Sequence, residues 1–353
     1  MKTYKLQADC LVIRGYTRST LCDITRRQVY IIDSYVAQML QKGTFTESEL
    51  HSIPKDVQQS LFDNGIIFEC PAQLLAQFPP INQHYDSPYG IEDAIIDYDC
   101  SIKPHLKSII AQLDEQNCRC VQIRFLPHAN ISEITDVLHH FNNSNVAAIE
   151  VMADSHTILA HHIENECDAL ISIIAYAAEG VAFEQRAGCT IISVSQAFTG
   201  ASQCGVVEPQ QFNCNREFFF LSGGYNTCLY RKVAIDREGY IRSCPASPQR
   251  FGRVGETPIA GAMSQPGFRR LWGITKDRVD VCRDCEFRRI CPDCRVFTRN
   301  PERPTAHPAR CAYNPYLARW AGQAGYAPVE ECGEFTPGGF VPDAERIARL
   351  AER

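Results

Sequence analysis

Four cysteines fall within one short stretch of the chain, and their spacing indicates metal binding. They are Cys282, Cys285, Cys291 and Cys294, with two, five and two residues between successive members. Thiolates are ligands for soft metals, and four of them in so short a run converge on one small volume. Such a set either binds metal or forms strained disulfides.

Three further cysteines raise the ligand count above what one metal ion needs. Cys311 follows the run, and Cys228 and Cys244 precede it. The segment between these last two is patterned as a β-hairpin with its turn at Asp236–Gly239, which would bring the two thiols together. Seven soft ligands exceed the four of a tetrahedral zinc site, so we expect more than one metal centre.

The alternative is a single zinc site formed by the four clustered cysteines. Zinc tolerates many ligand spacings, but the paired motifs of zinc sites are usually separated by more than five residues. A single zinc would also leave the three distant cysteines without a role. Iron–sulfur clusters take cysteine thiolates and tolerate short, irregular spacings, so the pattern favours iron–sulfur over zinc.

Composition limits the classes of protein to which the chain can belong. It has 353 residues, a formal net charge of −6 and 18 cysteines. The acidity argues against a general nucleic-acid-binding protein. No secretory signal follows Met1, and no apolar run approaches the roughly 18 residues of a membrane span. We therefore expect a cytoplasmic protein whose cysteines bind metal, with no nucleic-acid or membrane partner.

Strand and helix patterns divide the chain into segments of an α/β protein. Residues 1–76 have strands followed by short helices, a layout typical of a winged-helix-like module, and residues 77–92 form a proline-interrupted linker. Over 93–212, short apolar strands alternate with amphipathic helices, which predicts a parallel sheet in a partial (β/α) barrel or an open sheet. A cysteine-rich domain spans 213–320, and 321–353 form a C-terminal tail.

Periodicity also places individual elements. Strands are predicted over Lys5–Arg14 and Gln28–Asp33. In the middle segment, helices are predicted over His105–Gln116, Ile131–Phe141 and Ser155–Cys167.

Charged residues interleave the cysteines. Four arginines are expected to pair with nearby acids and to balance thiolate charge: Arg283, Arg288, Arg289 and Arg295, with Asp284, Glu286 and Asp293. Alternatively, these arginines contact an acidic peptide or tune the reduction potential of an iron–sulfur cluster.

The cysteine spacing resembles that of a known family. Cys228-x10-Gly239-x4-Cys244, the run Cys282–Cys294 and then Cys311 resemble the SPASM domain of radical-SAM peptide-modifying enzymes. One departure is visible, because the last pair of the run has two intervening residues where the usual pattern has three. In this domain, seven cysteines bind two auxiliary 4Fe–4S clusters.

The flanking residues resemble a narrower group, the SPASM-domain peptide maturases of grasp-with-spasm systems. The segments that carry this resemblance are Cys285–Arg295, Cys311–Tyr316, Ala8–Gly15 and Cys204–Val207. The resemblance covers most of residues 1–320. It implies a small ribosomal precursor peptide as the molecule acted upon and an ATP-grasp ligase, which forms side-chain ester or amide crosslinks, as partner.

The same resemblance implies how the cysteines are shared between two clusters. Cys282, Cys285, Cys291 and Cys311 would hold one cluster, and Cys228, Cys244 and Cys294 a second. The fourth iron of the second cluster would be open or capped, with Cys204 and Cys214 as candidate caps.

The three-cysteine motif of a SAM-cleaving enzyme is absent from the sequence. Radical-SAM enzymes carry CxxxCxxC after the first barrel strand, because three thiolates leave one iron for SAM. Here the first candidate strand, Ala94–Tyr98, is followed by Cys100 alone, and no CxxxCxxC occurs. Cys100, Cys118 and Cys120 are expected to pack as small buried hydrophobes. We therefore expect a barrel of radical-SAM type that does not cleave SAM reductively.

The N-terminal module resembles the winged-helix recognition elements of ribosomal-peptide pathways. In those elements a leader peptide adds a strand beside the third strand. That strand would be Arg27–Ile32, with Arg27, Val29 and Ile31 at the binding edge.

Three functions stay open at this point. The first is an iron–sulfur maturation protein that binds the precursor and works with the ligase. The second is a non-catalytic scaffold whose structural clusters, or zinc, present the precursor to the ligase. The third is an enzyme that uses an open iron as a Lewis acid or thiolate-binding site without SAM.

Overall fold

The chain folds into two compact units, each built from separate stretches of sequence. The computed structural model describes residues 2–352. The first unit comprises the N-terminal stretch to Tyr85, Gly205–Thr227 and the stretch from Gly273 onward, and the second comprises Asp86–Cys204 and Cys228–Trp272. The chain therefore leaves the first unit twice and returns to it twice. Within 2–352, no helix combines the length and the apolarity needed to cross a bilayer.

The N-terminal stretch contains two three-stranded sheets and three helices. Its elements are β1 (Thr3–Leu6), β2 (Cys10–Arg14), β3 (Ser19–Asp23), β4 (Gln28–Ile32), α1 (Ser34–Leu40), β5 (Thr44–Thr46), α2 (Glu47–Leu50), α3 (Lys55–Asp63) and β6 (Ile67–Glu69). β1 pairs with β5 and β6, and β2, β3 and β4 form an antiparallel meander in which β4 is an edge.

The single strand predicted over Lys5–Arg14 is wrong. A turn divides this run, because the N–H of Cys10 bonds back to the carbonyl of Gln7 (3.1 Å). β1 and β2 consequently belong to different sheets.

The middle of the chain forms an eight-stranded, mostly parallel sheet with helices. The elements are β7 (Ile91–Asp97), α4 (Leu106–Glu115), β8 (Cys118–Arg124), α5 (Ile131–His140), β9 (Ala148–Asp154), α6 (Ser155–Ile158), β10 (Leu170–Tyr176), β11 (Ala182–Arg186), β12 (Cys189–Ser193), α7 (Arg216–Gly224), β13 (Lys232–Ile235), β14 (Ile241–Arg242) and α8 (Ile259–Ser264). All except α7, which belongs to the first unit, lie in the second. The strand order is β11-β12-β10-β9-β8-β7-β13-β14, parallel from β12 to β13.

The order of the strands determines which face of this sheet is covered by helices. The parallel strands β7, β8, β9 and β10 are neighbours in chain order, so their right-handed crossover connections all lie on one face of the sheet. The buried core lies on that face and includes Ile96, Ile123 and Val151 of adjacent strands. The opposite face is polar, and there Gln122 Nε2 donates to Glu150 Oε1 (2.6 Å).

One expectation for this unit is wrong, and another is confirmed with an additional strand pairing. The helix predicted over Ser155–Cys167 is wrong, because α6 ends at Ile158 and non-helical backbone at His162 (φ −98°, ψ 72°) separates it from the 3₁₀ turn Ile163–Asn165. The hairpin between Cys228 and Cys244 is present as β13 and β14, but β13 also pairs in parallel with β7. Its run of buried residues, Val233–Ile235, is typical of an interior parallel strand.

The C-terminal stretch has little regular structure until its end. Its elements are β15 (Tyr313–Asn314), β16 (Arg319–Trp320), β17 (Gly333–Thr336), β18 (Gly339–Pro342) and α9 (Ala344–Ala351). Between Gly273 and Ala312 the described chain has short 3₁₀ turns but neither an α-helix nor a strand.

Candidate metal centre

Four of the seven predicted ligands line one cavity in the first unit. They are Cys282, Cys285, Cys291 and Cys311. None of the four is joined in a disulfide. Aromatic rings form much of the remaining wall: Phe212, Phe287, Tyr313 and Trp320. The structure thus brings four thiols together in a largely apolar enclosure.

Tight turns, rather than helices or sheets, place these cysteines. Cys282–Asp284 forms one turn of 3₁₀ helix. The N–H of Cys291 donates to the carbonyl of Phe287 (3.0 Å). Cys311 forms an isolated parallel bridge with Val207. The cavity therefore depends on the short stretch 205–227 as well as on the cysteine-rich segment.

The backbone immediately before Cys282 is strained. Val281 has φ 64° and ψ −45°, and the N–H of Cys282 donates to the carbonyl of Asp280 (2.6 Å), which closes a γ-turn. A β-branched residue rarely adopts positive φ, and such a conformation costs about 1–3 kcal/mol. Val281 is buried in an apolar cluster. Packing therefore holds the turn and fixes the direction in which Cys282 leaves the backbone.

Burial and mutual proximity oppose ionisation of these thiols. Burial, and after it the charge of Cys291, raises the pKa of Cys311 to about 11. Burial likewise raises the pKa of Cys285, and the charges of Glu286 and Cys282 add to the rise. Neighbouring thiolates that destabilise one another need a positive charge or a metal between them.

A buried ammonium group contacts one of the four thiols. Nζ of Lys276 donates hydrogen bonds to Sγ of Cys291 (2.8 Å) and to the carbonyl of Pro292 (2.7 Å). Burial lowers the pKa of Lys276, but the charges of Cys291 and Cys282 raise it above its usual value. The cavity thus pairs thiols with a fixed cation.

An imidazole also lines the cavity. His307 is buried, and its Nδ1 accepts a hydrogen bond from Nε of Arg299 (3.2 Å), so the ring proton lies on Nε2. Burial, and after it the charges of Arg299 and Arg295, lowers the pKa of His307 to about 3. The ring is therefore neutral at neutral pH.

Glu286, which directly follows Cys285, connects the cavity wall to the N-terminal sheet. Its buried carboxylate accepts hydrogen bonds from Nε of Arg18 (2.7 Å) and from the hydroxyl of Tyr313 (2.5 Å). Its backbone carbonyl accepts one from Oγ1 of Thr20 in β3 (2.7 Å). The meander that ends in β4 is therefore bonded to the segment that carries the cysteines.

Cys294 belongs to the first unit but does not line the cavity. It is buried beside Gly205, where a Cβ atom would lie 2.9 Å from its Sγ. Gly205 has φ 82°, so this position favours glycine for both space and conformation. The four clustered cysteines of the zinc alternative are consequently not the four that share the cavity.

Cys228 and Cys244 belong to the second unit, where they flank the hairpin of β13 and β14. Lys232 lies in that hairpin. Burial lowers the pKa of Lys232, but the charges of Cys228, Asp93, Cys244 and Cys204 raise it above its usual value. In this unit the two predicted ligands and the candidate cap Cys204 thus all raise the pKa of the same lysine.

The remaining cysteines of interest have mixed surroundings. Cys214, the other candidate cap, is buried in the first unit, and its Sγ donates to the carbonyl of Gln28 (3.3 Å). Cys118 is buried as expected and Cys120 is half-buried. The expectation that Cys100 is buried is wrong, because it lies exposed in the turn after β7 and bonds to the carboxylate of Asp99 (3.2 Å).

The predicted peptide-binding residues lie on an open sheet edge. Among the strands of residues 2–352, β4 pairs only with β3, and its Val29 and Ile31 are 37% and 48% exposed. Arg27 is exposed directly before the strand. Tyr35, just after it, adds an aromatic ring that is 48% exposed. An edge strand with exposed apolar side chains can accept an extended peptide as an additional strand.

Sequence reasoning missed Lys276, His307 and the partners of Glu286. Across residues 2–352, no three or more His, Cys, Asp or Glu side chains are grouped as ligands of a metal ion. Comparison with family models, with curated proteins and with solved structures gives no match.

Proposed function

We propose that this chain is an iron–sulfur maturation protein for a ribosomally made peptide. The observation that carries the proposal is the cavity in which four thiols and a buried ammonium group face one another. The resemblance of the cysteine pattern to SPASM-domain peptide maturases supplies the substrate class and the ATP-grasp ligase as partner.

The donor set fits a 4Fe–4S cluster. Such a cluster takes four cysteine thiolates, and it carries a net negative charge that a nearby ammonium group offsets. Its ligands surround an eight-atom core, so they stand further apart than the ligands of a single ion. Cys282, Cys285, Cys291 and Cys311 would hold this cluster. Four thiolates ligate all four irons, so this cluster supplies electron transfer when bound.

The resemblance to SPASM domains implies a second 4Fe–4S cluster, which Cys228, Cys244 and Cys294 would hold. Cys204 is the better candidate for its fourth iron, because it shares the surroundings of Lys232 with Cys228 and Cys244. Cys214 is less suited, since its thiol is engaged by a backbone carbonyl beside β4.

The parallel sheet supports the proposal of a partial barrel of radical-SAM type. Its strands from β7 to β10 follow one another in chain order, as barrel strands do. Only Cys100 follows β7 where a SAM-cleaving enzyme needs three cysteines. We therefore propose that this scaffold does not cleave SAM reductively.

The precursor would bind through its leader region at the edge of β4. The exposed side chains of Val29 and Ile31 support this choice, as does the unpaired edge of the meander. The leader would add a strand beside β4, with Arg27 available to an acidic leader residue.

The proposal is tested by metal and sulfide analysis of the full chain purified without oxygen. Two 4Fe–4S clusters predict about eight iron and about eight sulfide per chain, with a paramagnetic signal after reduction. One zinc per chain with no sulfide would overturn the proposal.

A non-catalytic scaffold is the second candidate. It is favoured by the absence of any α-helix or strand between Gly273 and Ala312 in the described chain, because such a segment relies on metal for its order. Mass spectrometry of the precursor co-expressed with the ligase, with and without this chain, distinguishes the two. A product whose mass does not depend on this chain would favour the scaffold.

A further inference from the structure

We propose that Lys276 sets the reduction potential of the cluster held by Cys282, Cys285, Cys291 and Cys311, an inference that rests on the proposed function. The juxtaposition that carries it is the contact between Nζ of Lys276 and Sγ of Cys291 at 2.8 Å. Lys276 would act through this ligand and through its charge.

The position of the ammonium group is fixed by the fold. Lys276 opens the 3₁₀ turn Lys276–Arg278 and is only 6% exposed. A second hydrogen bond, to the carbonyl of Pro292 at 2.7 Å, holds Nζ beside Cys291. Because Pro292 directly follows Cys291, the lysine bonds both to the thiol of Cys291 and to the backbone of the next residue.

A cation in this place favours the reduced cluster. Reduction adds one electron to the cluster, so its negative charge and the strength of an N–H···S hydrogen bond both increase. In a buried site the charge of Lys276 is poorly screened by water. A protein tunes the potential of such a cluster through hydrogen bonds to its sulfur atoms and through nearby charge. Nζ of Lys276 provides both a hydrogen bond and a charge.

Other cations near the cavity are less suited to this role. Arg288 lines the cavity, but its Nε is paired with Oδ1 of Asp277 (2.8 Å), which offsets its charge. Nη2 of Arg295 lies 2.7 Å from Oδ1 of Asp293, and both side chains are buried, so their charges offset each other. Arg278 lies on the same turn as Lys276 but is exposed, where water and salt screen it. His307 lines the cavity as a neutral ring.

The experiment is a redox titration of the full chain, with dithionite as electron donor and the paramagnetic signal of the reduced cluster as readout. The signal is assigned to this cluster by its loss in Cys311→Ser. Lys276→Met removes the charge and the hydrogen bond, while Lys276→Gln keeps an uncharged N–H donor. Arg278→Met is the matched control, because it removes an exposed cation from the same turn.

We expect Lys276→Met to raise the ratio of oxidised to reduced cluster at least tenfold at the wild-type midpoint, which corresponds to about 59 mV for one electron. Lys276→Gln should fall between Lys276→Met and wild type, and Arg278→Met should change the ratio less than twofold.

Three outcomes would overturn the inference. If Lys276→Met and Lys276→Gln carry full iron and sulfide and their ratios stay within twofold of wild type, Lys276 does not set the potential, although the proposed function stands. If both variants lose the cluster, Lys276 serves assembly instead. If wild type itself holds no sulfide, the proposed function fails and this inference fails with it.

Discussion

Arg18 and Glu286 form an ion pair, with 2.7 Å between Nε and Oε1, although 268 residues separate them in the chain. The carboxylate is wholly buried, while the arginine side chain is 27% exposed. Arg18 lies in the turn between β2 and β3, and Glu286 follows a proposed cluster ligand. The meander of β2, β3 and β4 and the cysteine cavity are therefore parts of one folded unit.

Removing the arginine of this pair should destabilise the first unit strongly. Arg18→Met leaves Glu286 buried without its cation, and breaking a buried pair in this way costs about 3 kcal/mol or more. The measurement is the free energy of unfolding from urea denaturation. Arg14→Met, which changes an exposed arginine at the end of β2, should leave it unaltered. Equal stabilities for the two variants would contradict the expectation. In the double variant Arg18→Met/Glu286→Gln the buried charge is gone, so part of the lost free energy of unfolding should be recovered.

The N-terminal stretch should not fold on its own. Ile13 and Ile24 pack in a cluster with Phe287, Ile290 and other residues from later stretches. A fragment of residues 2–85 would expose that face to water, so we expect no cooperative thermal transition by circular dichroism. The full chain is the control. A fragment that melts cooperatively and binds leader peptide as tightly as the full chain would show that the later stretches are not needed.

A charge on the edge of β4 should weaken leader binding. Ile31→Asp places a carboxylate where an added strand would bury an apolar side chain, and we expect at least a tenfold loss of affinity. Fluorescence anisotropy of a labelled leader peptide with the full chain gives the measurement. Val341→Asp is the matched control, because Val341 is an exposed apolar residue of β18. The same loss in both variants, or in neither, would count against this edge.

Loss of one cavity thiol should remove one cluster. Cys311→Ser is expected to lower the iron content from about eight to about four per chain, since each 4Fe–4S cluster holds four. Cys332→Ser is the control, because Cys332 is buried, is not among the residues that line the cavity, and accepts a hydrogen bond from Asn314 (3.2 Å). Unchanged iron and sulfide in Cys311→Ser would remove this cysteine from the ligand set.

The chain should not form 5′-deoxyadenosine from SAM. With dithionite, SAM and precursor peptide, we expect no product above background by liquid chromatography, because Cys100 stands alone after β7. Cys100→Ser should match wild type in iron content. Robust 5′-deoxyadenosine formation would overturn this expectation.

Features that depend on neighbouring residues could be predicted from the sequence. The helix predicted over His105–Gln116 is present as α4 (Leu106–Glu115), and the one predicted over Ile131–Phe141 is present as α5 (Ile131–His140). Gly239 takes positive φ in the predicted hairpin turn. In each case the decisive contact joins residues within a few positions of one another, so the local pattern contains the information.

Features that depend on distant residues could not be predicted. Glu286 was expected to pair with a neighbouring arginine, which is wrong, because the fold gives it Arg18 instead. The pairing of Arg295 with a nearby acid is confirmed by its contact with Asp293. Nothing in the spacing of the cysteines indicated that Lys276 would reach one of them, since a buried lysine is recognised by its surroundings rather than by its position in the chain.

Because each unit is built from separate stretches of sequence, the parts of the structure are completed at different times during synthesis. Every strand of the eight-stranded sheet has been made by Arg242, whereas the cysteine cavity needs residues as late as Trp320. Domains fold as their sequence emerges from the ribosome. The sheet can therefore form during translation. The N-terminal meander is made first, but its contacts with Glu286 can form only after that residue has been made. Under the proposed function, iron would therefore be bound late in synthesis, and the edge of β4 would be complete for a peptide only after the residues of the cavity have been made.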